Sequence, residues 1–166
     1  MTFWQPLGLS LSTQDLLRTA YAILLLLTLL QALPQARRFF TSERWGGYAQ
    51  SDPRIDLVQN PRVLPLVLAV WMTTAAALVV GRATVVAALV NVVLCRYFFV
   101  SMRWKGFLRG MGAPGFMTYW LGACVFFLEY GRHSDTTGLV RDLAVLAFRV
   151  DFAFIMVCAG TYKLLA

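Results

Sequence analysis

Four ionisable side chains lie inside strongly apolar stretches or at their edges, where charged residues are rare. Arg149 and Asp151 fall near the centre of the last apolar stretch, and Glu129 ends the stretch before it. Lys163 lies three residues before Ala166. An arginine or aspartate at the centre of a bilayer costs at least about 2.5–3.5 kcal/mol unless it is paired or hydrated. Because Arg149 and Asp151 are two positions apart, they point to nearly opposite sides of a helix, and each needs a partner elsewhere.

The partners that the sequence offers to these two residues are Glu129, Arg96 and Tyr97. We therefore predict an intramembrane polar cluster of Glu129, Arg149 and Asp151. Two interpretations stay open. In the first, the cluster lines a cavity between helices that suits a quinone, a lipid headgroup or a proton. In the second, it consists of charge pairs that fix assembly, within the chain or with a neighbouring subunit.

Lys163 has an ordinary interpretation and a catalytic one. As an ordinary residue it extends to the membrane interface and interacts favourably with the dipole at the end of its helix. A partly desolvated lysine can instead act as a general base. The residues around Lys163 do not decide between these roles, and the ordinary one is the default.

Other types of chemistry have little support in the sequence. The three cysteines, Cys95, Cys124 and Cys158, are far apart and form no CxxC pair, which argues against a disulfide framework or a zinc site. The single histidine, His133, lies in a predicted loop, and there is no nucleotide-binding loop or Ser/His/Asp set. We predict no metal and no required cofactor; a quinone or a bound lipid is the ligand that a polar cavity would suit.

The composition places these residues in a membrane protein. Hydrophobic residues make up 59% of the 166 residues, and the mean hydropathy is +0.66. They fall into about five stretches of membrane-spanning length. The sequence predicts a single all-α domain over residues 1–166, a polytopic transmembrane bundle of about five helices, with four to six as the range because the fourth stretch is short. The predicted helices cover residues 13–33, 61–80, 83–100, 114–130 and 139–165.

The distribution of positive charge predicts the orientation of the chain. The net charge is +7, but the basic residues lie at helix ends and in loops, so anionic lipid rather than nucleic acid is the expected partner. Nine lysines and arginines fall on the side that contains the loops after helices 1 and 3, and three fall on the other side. The positive-inside rule therefore predicts an outside N-terminus and an inside C-terminus, in what we expect to be a bacterial cytoplasmic membrane.

A ten-residue pattern occurs twice. Residues 39–48 and 98–107 both read F-F-x-S-x-R-W-x-G-aromatic, and they follow helices that should be parallel, so both copies should lie on one face of the membrane. Either aromatic and basic residues have simply collected at an interface, or the copies share an origin or a headgroup-binding role. The predicted lipid-binding or partner-binding residues in and around these copies are Arg44, Trp45, Arg96, Arg103, Trp104, Lys105 and Arg109.

Three segments together resemble the HTTM family, the membrane domain shared with vitamin K-dependent γ-carboxylases. They are residues 16–21 with the apolar run to Phe40, residues 92–115, and residues 149–164, whose end resembles the family pattern a-G-x-x-K-L. In the carboxylases the lysine of that pattern is thought to deprotonate reduced vitamin K, and Lys163 occupies its place. The family continues through further helices after this motif, and the segments that bind the carboxylated substrate have no counterpart here.

These observations predict an accessory or scaffold subunit of a larger membrane complex, respiratory or photosynthetic, with loops that bind lipid headgroups or partner subunits. The absence of metal ligands, a nucleophile set and a nucleotide loop from the sequence favours this role. The alternative is a quinone-binding enzyme similar to the carboxylases, in which Lys163 is the base and Arg149 and Asp151 line the cavity.

Overall fold

The computed structural model of the protein describes residues 11–36, 40, 58, 60, 62–101 and 113–165, and all regular structure among them is helical. This confirms the predicted all-α class. A 3-10 turn over Leu33–Gln35 extends the first helix, and a π-helix over Arg96–Ser101 continues the third. Among the described residues, five α-helices have defined bounds: α1 Leu11–Ala32, α2 Leu64–Val80, α3 Thr84–Cys95, α4 Ala113–Ser134 and α5 Leu139–Leu165.

Helix α1 owes its length to an apolar run from Ala22 to Leu30 that is interrupted only by Thr28, whose hydroxyl donates to the Leu24 carbonyl. Pro34 falls in the 3-10 turn that closes the helix. Among the described residues, the helical stretch Thr13–Gln35 alone is long and apolar enough to cross a membrane by length and composition. The apolar stretches Leu64–Val80 and Thr84–Val100 are shorter.

A tight turn makes α2 and α3 antiparallel. Gly81 adopts a left-handed conformation with φ 76°, which glycine tolerates, and its N–H bonds to the last turn of α2. The N–H of Arg82 also donates to the carbonyl of Ala77 over 3.0 Å. Helix α2 has the usual start and stop signals of a helix, because Pro65 lies in its first turn and Gly81 follows its last.

The turn between α4 and α5 is organised by Asp135. Its carboxylate accepts hydrogen bonds from the backbone N–H and hydroxyl of Thr137 and from the N–H of Val140 in the first turn of α5. The Thr137 hydroxyl, together with the backbone N–H donors of this turn, holds the pKa of Asp135 below its usual value. Asp135 therefore fixes where α5 begins.

Four of the helices enclose the core. Helix α1 packs on α2, α2 on α3, α3 on α4, and α4 returns to contact α1. Buried side chains from all four fill the interior, among them Leu25, Trp71, Cys95 and Val125. Helix α5 packs chiefly against α4, and among its described side chains only Val145 is fully buried.

The outer surface of these helices is apolar and part of the interior is polar. Large apolar side chains are exposed on every helix, for example Leu24, Leu66, Val86, Phe127 and Phe154. Among the described residues, the buried polar side chains are Gln14, Thr84, Asn91 and Glu129.

Candidate functional site

An ion-pair network joins α1, α2 and α4 at one end of the bundle, which we call the polar end. The Arg18 guanidinium lies 2.9 Å from the Asp15 carboxylate and 3.4 Å from that of Glu129, both through its Nη1. Its Nε donates to the carbonyl of Leu78 in the last turn of α2 over 3.1 Å. Arg132, one turn beyond Glu129 on α4, lies 2.7 Å from Asp15. Two carboxylates thus face two guanidinium groups.

The local sequence explains this network. Asp15 and Arg18 are three positions apart and so lie on one face of α1. Gly81 leaves room beside them, since a Cβ at this position would lie 3.3 Å from Nη2 of Arg18. The left-handed turn at Gly81 therefore ends α2 and also lets Arg18 reach its final carbonyls.

Glu129 is the most deeply buried charge of the network, with 2% of its side chain exposed. Its Oε1 pairs with Arg18, whereas its Oε2 is buried and has no hydrogen-bond partner among the described residues. The Nδ1 of His133 lies 4.0 Å from that Oε2 and 2.9 Å from the Glu129 carbonyl oxygen, which can only accept a hydrogen bond from it. One carboxylate oxygen is consequently left in the interior without a donor from the described part of the chain.

A second polar contact joins three helices below this network. The Tyr21 hydroxyl on α1 lies 3.7 Å from the Cys95 sulfur on α3. It also lies against Gly122 on α4, where a Cβ would come within 2.5 Å of it. Glycine at position 122 is therefore what lets the tyrosine hydroxyl reach the interface between α3 and α4.

The structure separates the predicted polar cluster into two places. Asp151 accepts a hydrogen bond from the Trp120 indole on α4 over 3.2 Å, and Trp120 stacks on Phe148 with 4.7 Å between ring centroids. Glu129 is nine residues from Trp120, about 13 Å further along α4. Glu129 therefore pairs with Arg18 rather than with the polar residues of α5. Arg149 is exposed and forms no ion pair with any described residue.

The opposite end of the bundle holds an aromatic cluster that unites the start of the two repeat copies. Phe40 from the first copy and Phe98 from the second meet edge to face at 5.0 Å, and Phe98 stacks on Trp71 at 5.3 Å. Phe99 also contacts Trp71. Arg96 lies 5.6 Å from the centre of the Tyr119 ring, in cation–π geometry.

Several predicted site residues lie outside the described part of the chain. These are Arg44, Trp45, Arg103, Trp104, Lys105 and Arg109. Helix α5 includes position 163, but the Lys163 side chain is likewise outside the described part. Their roles in lipid binding, partner binding and catalysis stay predictions.

The α1 half of the polar end was not predicted from the sequence. The signal available was the group of polar residues at positions 14, 15 and 18, ahead of an otherwise apolar helix. Arg18 appeared only within the HTTM-like segment and was given no partner. A pairing 111 residues apart in sequence, such as Arg18 with Glu129, depends on how the helices pack and not on a local motif.

Comparison with known proteins adds no family assignment. The chain has no significant match to a protein-family model, to a curated protein or to a solved structure. Across the described residues, no three histidine, cysteine, aspartate or glutamate side chains come together as a metal-binding group.

Proposed function

We propose that this protein is a multi-pass integral membrane protein whose five helices cross the bilayer. The distribution of polarity supports this. Exposed apolar side chains on every helix are suited to contact with lipid, whereas a water-soluble protein rarely exposes such extensive apolar surface. The buried polar side chains satisfy the complementary rule, since polar residues within a membrane face the bundle interior.

The shorter helices are compatible with this arrangement. Helix α2 has 17 residues, and α3 continues into the six-residue π-helix. About 17 residues is the lower limit for a spanning helix, and a short span is accommodated by local thinning of the bilayer. Both helices are free of charged residues from position 64 to 80 and from 84 to 95.

We further propose that the protein is a small scaffold subunit of a larger membrane assembly, and Arg149 is the observation that carries this proposal. Stacking of Phe148 on Trp120 sets Arg149 level with the middle portion of α4. Arg149 is ten residues into α5, about 15 Å from its start, which is too far for the side chain to reach the nearer interface. Exposed apolar residues such as Val150 and Phe152 surround it.

Arg149 has no ion-pair partner among the described residues, and we infer that at this depth its acidic partner comes from outside the chain. Asp151 cannot serve, because it lies two positions away and bonds to Trp120. A second copy packed through α5 is disfavoured as well, since parallel copies in one membrane would bring two Arg149 side chains to the same depth. The partner that fits is a transmembrane helix of a different subunit that presents a carboxylate at mid-membrane depth.

Gentle detergent extraction followed by native gel separation and mass spectrometry tests this proposal. We expect the wild-type protein to migrate with a larger partner in fixed stoichiometry, and the Arg149→Leu variant to migrate alone. Arg149→Lys should retain part of the complex because it keeps the charge. Arg82→Leu, a change to an exposed arginine in the α2–α3 turn, is the matched control. A solitary wild-type protein, or an undiminished complex with Arg149→Leu, would overturn the proposal.

A further inference from the structure

Six buried polar atoms on four helices have no hydrogen-bond partner among the described residues. One, Nε1 of Trp71 on α2, lies in the aromatic cluster, and the other five lie on α1, α3 and α4. These five are both side-chain amide atoms of Gln14, Oγ1 of Thr84, Oδ1 of Asn91 and Oε2 of Glu129. Gln14 and Glu129 each expose 2% of their surface, and Thr84 exposes 5%. Nearly all buried polar atoms in proteins form hydrogen bonds to protein or to ordered water. Because these atoms have no protein partner among the described residues, they indicate hydrogen bonds to bound water.

Helix register brings Gln14 and Glu129 to the same level. The contacts of Tyr21 with Cys95 and Gly122 fix one level at which α1, α3 and α4 meet. Gln14 precedes Tyr21 by seven residues, and Glu129 follows Gly122 by seven residues on a helix of opposite direction. Seven residues are two turns, so both side chains lie about 10 Å from that level toward the polar end, on the faces that turn to the same interior.

Helix α3 adds two polar residues to this interior, both on the polar-end side of Cys95. Asn91 lies one turn closer to the polar end than Cys95, on the same face of α3, and Thr84 lies three turns closer. Both are buried, and the Asn91 amide nitrogen already donates to the Ala87 carbonyl, which leaves its oxygen free. The unpartnered atoms thus form a polar column from the polar end down to Tyr21 and Cys95.

We propose that this column holds ordered water and that Glu129 is its proton-binding group. A proton arriving on water bonds to Oε2, the carboxylate becomes a neutral acid, and its new O–H donates to water or to the free oxygen of Gln14. This step gives Oε2 of Glu129 a hydrogen-bonding proton and removes a buried negative charge, and both changes avoid the cost of burying unpaired polar groups.

The ion-pair network allows Glu129 to be neutralised without leaving Arg18 unpaired. Arg18 keeps Asp15 at 2.9 Å and the Leu78 carbonyl at 3.1 Å when Glu129 takes up a proton. The contact with Glu129 is the longer of its two ion pairs, at 3.4 Å. Asp15 also contacts Arg132 at 2.7 Å, so after Glu129 is protonated the two guanidinium groups share this one carboxylate.

Among the described residues, the unpartnered acceptor atoms all lie on the polar-end side of Tyr21 and Cys95, and the unpartnered atom on the other side is a donor, Nε1 of Trp71. Beyond Tyr21 and Cys95 the interior is filled by Leu25, Leu29 and the aromatic cluster around Trp71, where Phe98 stacks at 5.3 Å. Protons therefore enter and leave by the polar end, and Glu129 binds protons without conducting them through the bundle. This inference does not depend on Arg149 or on any partner subunit.

The charged groups around Glu129 are few. Helix α1 supplies Asp15 and Arg18, and α4 itself supplies Arg132 and His133. Helix α5 has Arg141 and Asp142 at the same end, with Arg141 beside Gly131. Thr84–Cys95 carries no charged side chain, and Arg96, at the start of the π-helix, lies toward the other end.

Infrared difference spectroscopy between acidic and alkaline buffers tests this on the full chain in liposomes. We expect a protonated-carboxyl band that is lost in Glu129→Gln and retained in Asp142→Asn, which removes an exposed carboxylate at the same end. The wild-type band should shift within the mixing time on transfer to heavy water, because the column is hydrated. Identical spectra for wild type and Glu129→Gln, or a Glu129 band that does not respond to heavy water, would overturn the proposal.

A second variant keeps the test decisive if Glu129→Gln does not fold. Gln14→Leu removes the neighbouring amide while leaving the carboxyl group in place. We expect its protonated-carboxyl band at a higher frequency than in wild type, since the acid loses a hydrogen-bonding neighbour. A band at the wild-type frequency would show that Glu129 and Gln14 do not share the column.

Discussion

Single side chains decide how closely the helices approach one another, and Gly122 is the clearest case. The Tyr21 hydroxyl occupies the space that a side chain at position 122 would need. Gly160 on α5 provides a contrast, because nothing lies within 4 Å of the position of its absent Cβ. The same residue type is therefore required for packing in α4 and is free of packing constraints in α5.

Gly122→Ala should destabilise the bundle by about 1–3 kcal/mol, the usual range for overpacking a core. The added methyl group would lie 2.5 Å from the Tyr21 hydroxyl oxygen, so one of the two helices must move. The measurement is thermal or denaturant unfolding in detergent, followed by circular dichroism. Gly160→Ala is the control and should change stability by no more than about 0.5 kcal/mol.

Removing the hydroxyl should rescue the Gly122→Ala variant in part. In the double variant with Tyr21→Phe, the nearest atom is the ring carbon 3.1 Å from the new methyl group, which a small shift accommodates. A positive coupling energy between the two changes is expected. Additive effects would mean that the loss of stability has another origin.

At the scale of helices, Asp135 illustrates how a turn residue positions a whole element. It accepts hydrogen bonds from Thr137 and Val140 and so fixes the first turn of α5, the helix that carries Arg149 and Asp151. Asp135 has a folded-state pKa below its usual value of 3.8. The stability that Asp135 adds to the folded state is therefore fully present above its unfolded-state pKa. This stability is lost as the pH falls through its folded-state pKa.

Asp135→Ala should loosen the start of α5 at neutral pH, because Val140 loses its acceptor. Hydrogen exchange of the amides from Val140 to Leu143 measures this directly, after correction for intrinsic rates. The difference between variant and wild type should shrink as the pH falls, since protonated Asp135 accepts poorly. Thr136→Ala, at an exposed neighbouring position, should exchange like wild type at every pH.

The helices were largely predictable from sequence, whereas the partners of their polar residues were not. Apolar runs bounded by Pro65, Gly81 and the 135–138 turn mark α2, α3, α4 and α5 without reference to packing. Arg18 and Glu129 meet only because α1 and α4 pack together, and that depends on small residues such as Gly122. The π-helix at Arg96–Ser101 had no sequence signal. Its residues Phe98 and Phe99 both contact Trp71 on another helix, and such contacts are not visible in the local sequence.

At the scale of the whole molecule, polarity is distributed so that each end of the bundle has a different character. The polar end gathers Asp15, Arg18, Glu129 and Arg132, and the opposite end gathers Phe40 and Phe98 from the two repeat copies together with Trp71. The described part of the interior follows the same gradient, from Gln14 and Thr84 to Trp71. If the helices span the membrane as proposed, the aromatic end adjoins the basic loops, which the positive-inside rule assigns to the cytoplasmic side.

The number of spans and their orientation can be read from reporter fusions. Five spanning helices place a fusion after Ala166 on the cytoplasmic side, where a fluorescent protein folds and alkaline phosphatase stays inactive. Fusions at the Arg82 turn and within 135–138 should give the opposite pattern, because both turns lie at the polar end together with Asp15. A re-entrant α4 would instead place the 135–138 turn on the same side as the α3–α4 connection. Phosphatase activity after Ala166 combined with fluorescence at Arg82 would reverse the whole orientation, and the proton path to Glu129 would then open to the cytoplasm.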